Sequence, residues 1–406
     1  MAQQPGTPRL LRAINDEAAL RLLLERGPLS RTDIGALTGL SKPTASQLLG
    51  RLEAAGLVVT VGHREGGRGP SAQLYQVNPV AGYVAALDVT TPTRIVTAVA
   101  DITGRIIAER TVPSAGRSSE PAASRVRAAV ETTAHAAGQR LSDLRHVTVG
   151  IPGALNPRTG RISYGRNLAG WHDDDMLRRL RAALDVPVSI ENNVNLAGLA
   201  ELRAGRAAAT PNFVLLWVAS GIGLALMIDG RPLRGATGGA GEVGYMPMPG
   251  APLARNVARG ANTGFQAAVG GRAVLELART HGIPGGSAAT AIRRACAGAP
   301  GGHGFLGELA GRLAAGLAVV VSVLDPELIV LAGDVPLAGG DELRRRIAAE
   351  LRVFSLAHPP VELSTVPGNP VLLGALHASL EVARDELFGG RTPPDVPWHD
   401  AGRHRA

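Results

Sequence analysis

Between residues 29 and 79 the spacing of apolar positions changes from helical to strand-like, and the polar positions fall on one face. RTDIGALTGL, Arg31 to Leu40, has helical periodicity behind Ser30, with Asp33 three residues on. That pattern predicts a capping-box start with Asp in place of the usual Glu or Gln. Gly39 closes this helix. Ser41 then caps a second one, with Pro43 in the first turn, where a missing N–H costs nothing. Ala45, Leu48, Leu49 and Leu52 share one face of the second helix, which ends at Gly56. Two apolar runs follow, LVVTV and QLYQV, on either side of the basic glycine-rich loop GHREGGRGPSA. Two helices followed by a two-stranded wing make a winged helix-turn-helix, the layout of a duplex-DNA reader. Lys42, Thr44, Ser46, Gln47 and Arg51 on the open face of the second helix are the candidate base and phosphate contacts, with Arg64 and Arg68 reaching from the wing. Gln47 can read adenine bidentately, and Arg51 is equally suited to a phosphate. The alternative is a small helical domain that docks on protein, an interface to which a wing adds little.

Beyond Asn78-Pro79 the texture changes. Strand-like runs (YVAALDV, RIVTAVAD, HVTVGI, VPVSIEN, NFVLLWVA, LALMIDG, ELIVLAG) alternate with helical stretches at 121–140, 173–184, 194–205, 265–280, 304–323 and 341–353. Alternation of this kind predicts an α/β protein, and the strand-turn-strand opening predicts an antiparallel start to a mixed sheet. Stretches rich in Gly and Pro at 246–262, 281–303 and 389–398 read as loops or tail, and no short repeat is evident. The chain divides as 1–79, 80–390 and a tail, 391–406. Two apolar runs raise the question of a membrane. Phe213 to Ile228 is interrupted by Gly221 and Gly223, and Leu313 to Ala332 by Asp325, Pro326 and Glu327. Both are expected to be buried in a soluble body.

With 406 residues the chain is long enough for two or three domains. A net charge of +8 suits a polyanionic partner, although residues 1–80 hold only nine Lys/Arg against six Asp/Glu. Lys42 is the only lysine, at the start of the second helix. One cysteine, Cys296, rules out an intrachain disulfide and a Cys-rich metal site. With no signal-peptide pattern at the start, this points to the cytoplasm. Cys296 is expected to be a small buried hydrophobe. His63, His172 and His303 form no cluster and are expected at the surface or satisfied.

An ordered set of motifs identifies the second region. These are GRGPSAQLYQVNP, VGIPGALNPRTGRI, NLAGWHD, IENNVNLAGLAE, VASGIGLALMIDGRPLRGATGGAGEVGYMPM, DPELIVLAGDV and LGALHASL. In this order and spacing they resemble the ROK family of bacterial repressors and sugar kinases over nearly the whole chain. The resemblance implies an actin-like (ribonuclease H-like) two-lobed α/β body, preceded here by the winged helix that the regulators carry.

The family's kinases hold ATP phosphates on glycine-rich turns and deprotonate a sugar hydroxyl with an Asp. Here the first turn reads DVTTPTR after Asp88, where Pro92 lacks an N–H and Thr91 is branched. The second, Ser220-Gly221-Ile222-Gly223, is largely kept, and it reads equally well as a tight turn between core strands. Asn193 occupies the position of the base, and an amide cannot take up the hydroxyl proton. Phosphoryl transfer is therefore not expected. Asn192 and Glu242 match family positions that bond sugar hydroxyls; Tyr245 stands where His is usual and Gln266 where Glu is usual. The family's His and Cys zinc ligands are missing, so neither a metal nor another cofactor is expected.

Asn192, Asn193, Glu242, Tyr245 and Gln266 together predict a neutral, amide-rich pocket with one carboxylate, suited to a carbohydrate effector. The competing expectation is a pocket whose polar groups satisfy each other in a regulator controlled by a partner. A two-helix reader covers a short site, so a homodimer or homotetramer on a palindromic operator is expected.

Overall fold

The structure, a computed structural model, describes residues 8–64, 72–114, 120–163, 171, 175–253 and 262–389. The N-terminal unit is built from α1 (Pro8–Arg26), β1 (Leu29–Ser30), α2 (Arg31–Thr38), α3 (Lys42–Ala54), β2 (Val58–Arg64) and β3 (Ala72–Val77). The expected local signals act as written. Ser30 Oγ accepts from Asp33 N at 3.2 Å, while Asp33 Oδ2 accepts from Ser30 N at 2.9 Å. That reciprocal bond holds the Asp33 carboxyl below its usual range, with help from the nearby Arg64. Gly39 takes the left-handed conformation (φ 71) that ends α2, and Ser41 caps α3. Ala45, Leu48, Leu49 and Leu52 are buried, as their spacing requires.

Two features of this unit were not expected. β1 adds a third strand to the wing, in the order β1-β3-β2. α1 was given no element, although Ala19, Leu20 and Leu23 recur at helical spacing and all three are buried.

The 3-10 turn Pro79–Ala81 leads into the first lobe. Here β4 (Tyr83–Asp88), β5 (Arg94–Asp101), β6 (Ile106–Pro113), β7 (Leu144–Ile151) and, further on, β10 (Val188–Asn192) form one sheet in the order β10-β7-β4-β5-β6. β4 pairs antiparallel with β5 and parallel with β7, the mixed sheet its opening predicts. α4 (Ala122–Ala136) and α5 (Met176–Leu184) cover one face, with the small ribbon β8 (Ala154–Leu155) and β9 (Ile162–Ser163) at one end.

After α6 (Asn193–Ala204) the pattern repeats. β11 (Phe213–Val218), β12 (Ile222–Ile228), β13 (Arg231–Pro232), β14 (Leu328–Ala332) and β15 (Val361–Leu363) form a second sheet, in the order β13-β12-β11-β14-β15. In both sheets the first strand is central, a hairpin extends one side and two parallel strands extend the other. Its helices are α7 (Gly264–Val269), α8 (Gly271–Thr280), α9 (Ala288–Cys296), α10 (Gly302–Leu324) and α11 (Asp334–Phe354). α12 (Pro370–Phe388) then returns to the first lobe and packs on β4, β7 and α6.

Several expectations change. The expected 265–280 helix is broken at Gly270, which is extended and crowded by Gln266. The 281–303 stretch holds α9, capped by Ser287, rather than loop alone. α11 begins at Asp334 and is kinked at Gly340 (φ 55). β6, β15 and α12 were unassigned. Cys296 is exposed at the end of α9 rather than buried, its thiol donating to Gly339 O at 3.6 Å. Partial burial and the nearby Glu342 push that thiol up, which opposes use as a nucleophile. His63 and His303 are exposed, and His172 lies outside the described residues. The two apolar runs resolve into the β11–β12 hairpin and the α10–β14 passage. Among the described helices α10 is long and apolar enough to cross a membrane, but more than half of it is buried in the second lobe.

One apolar cluster joins the two ends of the molecule. It runs from Leu48 and Leu52 of α3 through Leu20 and Leu23 of α1 to Leu380, Ala383 and Phe388 of α12, and on to Leu196 of α6.

Candidate ligand cleft and DNA-reading face

α3 turns Lys42, Thr44, Gln47 and Arg51 outward, with Ser46 half-buried beside them. Their commitments differ. Thr44 Oγ1 lies 2.8 Å from the capping Ser41 Oγ, Arg51 pairs with Asp16 of α1 at 2.7 Å, and Arg64 pairs with Asp33 at 3.1 Å. Lys42, Ser46 and Gln47 make no side-chain hydrogen bond or ion pair among the described residues. These three are ready for a ligand, whereas Arg51 and Arg64 would exchange one exposed ion pair for another, at little net cost. Arg68 lies outside the described residues. Gly50 sits on the same exposed face with open space around it, so another backbone can approach α3 closely there.

The cleft lies where α6 begins. Asn192 ends β10 and caps α6, its Oδ1 accepting from Val194 N (2.8 Å) and Asn195 N (3.2 Å) while Nδ2 donates to Gly153 O (3.0 Å). Only one amide hydrogen is left for a ligand. Asn193 is nearly buried, with one contact from Nδ2 to Thr90 Oγ1 at 3.4 Å and no bond to its carbonyl oxygen among the described residues. Gln266 is also committed, accepting from Ile222 N at 3.0 Å and donating to Ser220 O at 3.3 Å. It braces the turn between β11 and β12.

Glu242 differs from these. It precedes the 3-10 turn Val243–Tyr245, so the half-buried Tyr245 stands beside it on the same turn. Gly241 allows this turn to form, since a Cβ there would meet Leu224 O at 1.9 Å and φ is 88. The Glu242 carboxylate has no hydrogen bond or ion pair among the described residues, and burial pushes it up to about 7. Arg234, on the loop that leads to this turn, is engaged elsewhere. It binds Glu191 through Nε (2.7 Å) and Nη2 (2.5 Å), tying the end of β10 to the loop after β13. Glu191 Oε1 in turn accepts from Asn192 N and Asn195 Nδ2. The contacts of Gly223 with Val194, and of Gly244 with Ile222 and Gln266, bring Asn193, Gln266 and the Glu242 turn to the junction of the two lobes.

The two turns compared above with phosphate cradles each carry hydrogen bonds within the fold. Thr90 N donates to Asp88 Oδ1 at 2.8 Å, and Asn369 Nδ2 donates to Asp88 Oδ2 at 2.8 Å, so each carboxylate oxygen already accepts one hydrogen bond from the fold. In the second turn Ala219 N donates to Gly221 O and Ile222 N is taken by Gln266. Asn193 carries an amide, which cannot take up a proton as a carboxylate does.

Residues 85–365, well over half of the chain, match the model of the ROK family. The chain belongs to the ROK family. Residues 18–69 match the model of the MarR family, which covers most of the winged helix. A xylose repressor of Caldicellulosiruptor bescii is 24% identical over 389 residues, 91% of this chain and 96% of that one. The xylose repressor of Bacillus subtilis strain 168 is 25% identical over 238 residues, 59% of this chain and 61% of its own. In three dimensions, a ROK family transcriptional regulator described as a homologue of the E. coli MLC protein superposes with a TM-score of 0.74. It is 19% identical and covers 93% of this chain and 98% of its own. A ROK hexokinase of Thermus thermophilus superposes with a TM-score of 0.62 at 30% identity, covering 74% of this chain and 99% of its own. The hexokinase thus matches a shorter part of the chain than the regulator, whose coverage leaves little of it unmatched.

Proposed function

We propose that this ROK protein is a sequence-specific DNA-binding repressor whose cleft binds an unphosphorylated carbohydrate, and that cleft occupancy sets operator affinity. The observation that carries this reading is a pairing. A winged helix whose Lys42, Ser46 and Gln47 side chains are unengaged among the described residues is joined through one apolar cluster to a ROK body that carries Asn193, an amide, at its cleft. The body transfers no phosphoryl group, and as a homodimer it presents two winged helices to a palindromic site. Glu242, without a partner among the described residues and largely desolvated, accepts from a sugar hydroxyl, and Asn193 Oδ1 faces the same task. A ligand shifts the balance between two lobe arrangements only if it binds one of them more tightly.

The test starts from duplexes selected by the purified protein from a random pool. D-Xylose, the sugar named in two relatives, is then titrated into the complex, and ADP release is followed in parallel with ATP and the same sugar. Release of the duplex with background ADP supports the proposal; sugar-dependent ADP above background overturns its non-enzymatic part. A second reading has one observation in its favour: Asn192 and Gln266 spend their amides on the fold. In that reading a protein partner controls the regulator, and no sugar on a broad panel releases the duplex.

On the DNA side, Gln47→Ala is expected to cost about 1–3 kcal/mol on the preferred site and to flatten discrimination at one base pair. Lys42→Ala should instead weaken all duplexes alike and reduce the salt slope by about 1. Binding titrations on matched and mismatched duplexes at several salt concentrations separate the two. Equal losses on every sequence for Gln47→Ala would remove it from the base-reading set.

A further inference from the structure

Asn369 lies outside the motifs singled out above, and it makes contacts in two directions. Its Oδ1 accepts from Leu372 N at 3.1 Å and so caps α12, while Nδ2 donates to Asp88 Oδ2 at 2.8 Å. Asp88 Oδ1 in turn holds Thr90 N, and Thr90 Oγ1 receives the amide of Asn193. Three contacts therefore link the residue at the cleft to the first turn of α12.

At 19 residues α12 spans about 28 Å. Near its start it lies backbone to backbone on α6, since a Cβ on Gly374 would stand 1.8 Å from Leu196 O. That contact leaves no room for one helix to slide freely on the other. At its far end Asp385 pairs with Arg21 of α1 at 2.9 Å. Beside that pair, Leu380, Ala383 and Phe388 share an apolar cluster with Ala19, Leu20 and Leu23 of α1. α1 in turn packs on α2, α3 and β3, the body of the DNA reader.

We infer that Asn369 is a positioning residue that ties the ligand cleft to the DNA-reading unit, holding Asp88 at one end of α12 while the other end of that helix anchors α1. A change at Asn193 or Asp88 then moves α12 as a unit, because its cleft end is bonded and its length is rigidly packed. The regulatory meaning of this tie rests on the ligand-gated reading above. The tie itself does not, so its test uses neither sugar nor DNA and stands apart from the outcome of a sugar panel.

The experiment is amide hydrogen exchange on the full-length protein and three variants. Asn369→Ser keeps a capping oxygen for α12 but removes the donor to Asp88. Asp88→Ala removes the acceptor, and Asp88→Asn leaves an oxygen for Asn369 at the expense of Thr90. Asn369→Ser and Asp88→Ala are each expected to speed exchange in residues 20–26 of α1 by about threefold or more. Asp88→Asn should stay near the parent rate, and α9, which packs on α10 and α11, should be unchanged in all three. The inference is overturned if faster exchange stays within residues 86–92 and 369–376 with α1 at the parent rate. It is equally overturned if α9 speeds up as much as α1, or if Asp88→Asn behaves like Asp88→Ala. Should Asn369→Ser fail to fold, the Asp88 pair decides alone.

Discussion

Glu242→Gln raises the stability of this protein above pH 7 and weakens its response to sugar. Burial pushes the Glu242 carboxyl from 4.5 up to about 7, and no cation offsets that cost among the described residues. Because its folded value lies above its unfolded one, the folded protein holds a proton that the unfolded chain has lost between about pH 4.5 and 7. Stability therefore falls as pH rises through this window, and the full penalty, on the order of 3 kcal/mol, is present above it. Glutamine has nearly the same shape without the charge, so the variant escapes the penalty at pH 8 and gains little at pH 5. Denaturant unfolding of both proteins at the two pH values measures this. A gain of equal size at both would place the effect in packing rather than ionisation. At pH 8, where the Glu242 carboxyl is largely ionised, the same variant should bind D-xylose at least about tenfold more weakly, since a charged acceptor bonds a hydroxyl more strongly than an amide does. Unchanged sugar affinity would remove Glu242 from the site.

Gly374→Ala should cost about 4 kcal/mol or more, at the upper end of what a single methyl group can do. The added Cβ would meet backbone, standing 1.8 Å from Leu196 O and 2.5 Å from its carbonyl carbon, so no side-chain rotation relieves the clash. α6 and α12 must separate, and with them the cap at Asn192 and the base of the cleft. The contrasting case is Gly50→Ala. Its surroundings are open and α3 is exposed there, so the helix gains about 1 kcal/mol from the better helix former. Thermal unfolding of the two variants should move in opposite directions. If Gly374→Ala unfolds within a few degrees of the parent, the two helices are not in backbone contact. Duplex affinity of Gly50→Ala adds a second reading, falling if α3 comes close to the DNA backbone along that face.

Much of the DNA-reading unit could be read along the chain because its signals are local. A capping box closes within three residues, a left-handed glycine ends a helix on its own, and Leu48, Leu49 and Leu52 announce their face by spacing alone. Alternating runs revealed the central strands of both lobes for the same reason, since a strand buried on both faces must be apolar throughout. Short edge strands such as β15, and α12, whose burial depends on partners far away in the chain, carried a weaker signal. α1 lies outside the elements expected from the sequence, although Ala19, Leu20 and Leu23 mark its buried face by spacing alone.

The site divides along the same line. The residue types fixed what each position can do chemically: Asn193 cannot act as a base, and a carboxylate at Glu242 can accept from a hydroxyl. What each position is free to do was decided by tertiary structure, because a side chain's hydrogen-bonding capacity is shared among whatever the fold brings within 3 Å. Asn192 and Gln266 have the chemistry of ligand contacts, but folding spends their amides on a helix cap and a turn. Arg51 and Arg64 are paired within the winged helix, while Gln47 is left open. Asn369, followed by Pro370, carried a local pattern for a helix cap and none for a second contact. Its importance comes from a bond to Asp88 across 281 positions of chain, a separation that only the closed fold removes.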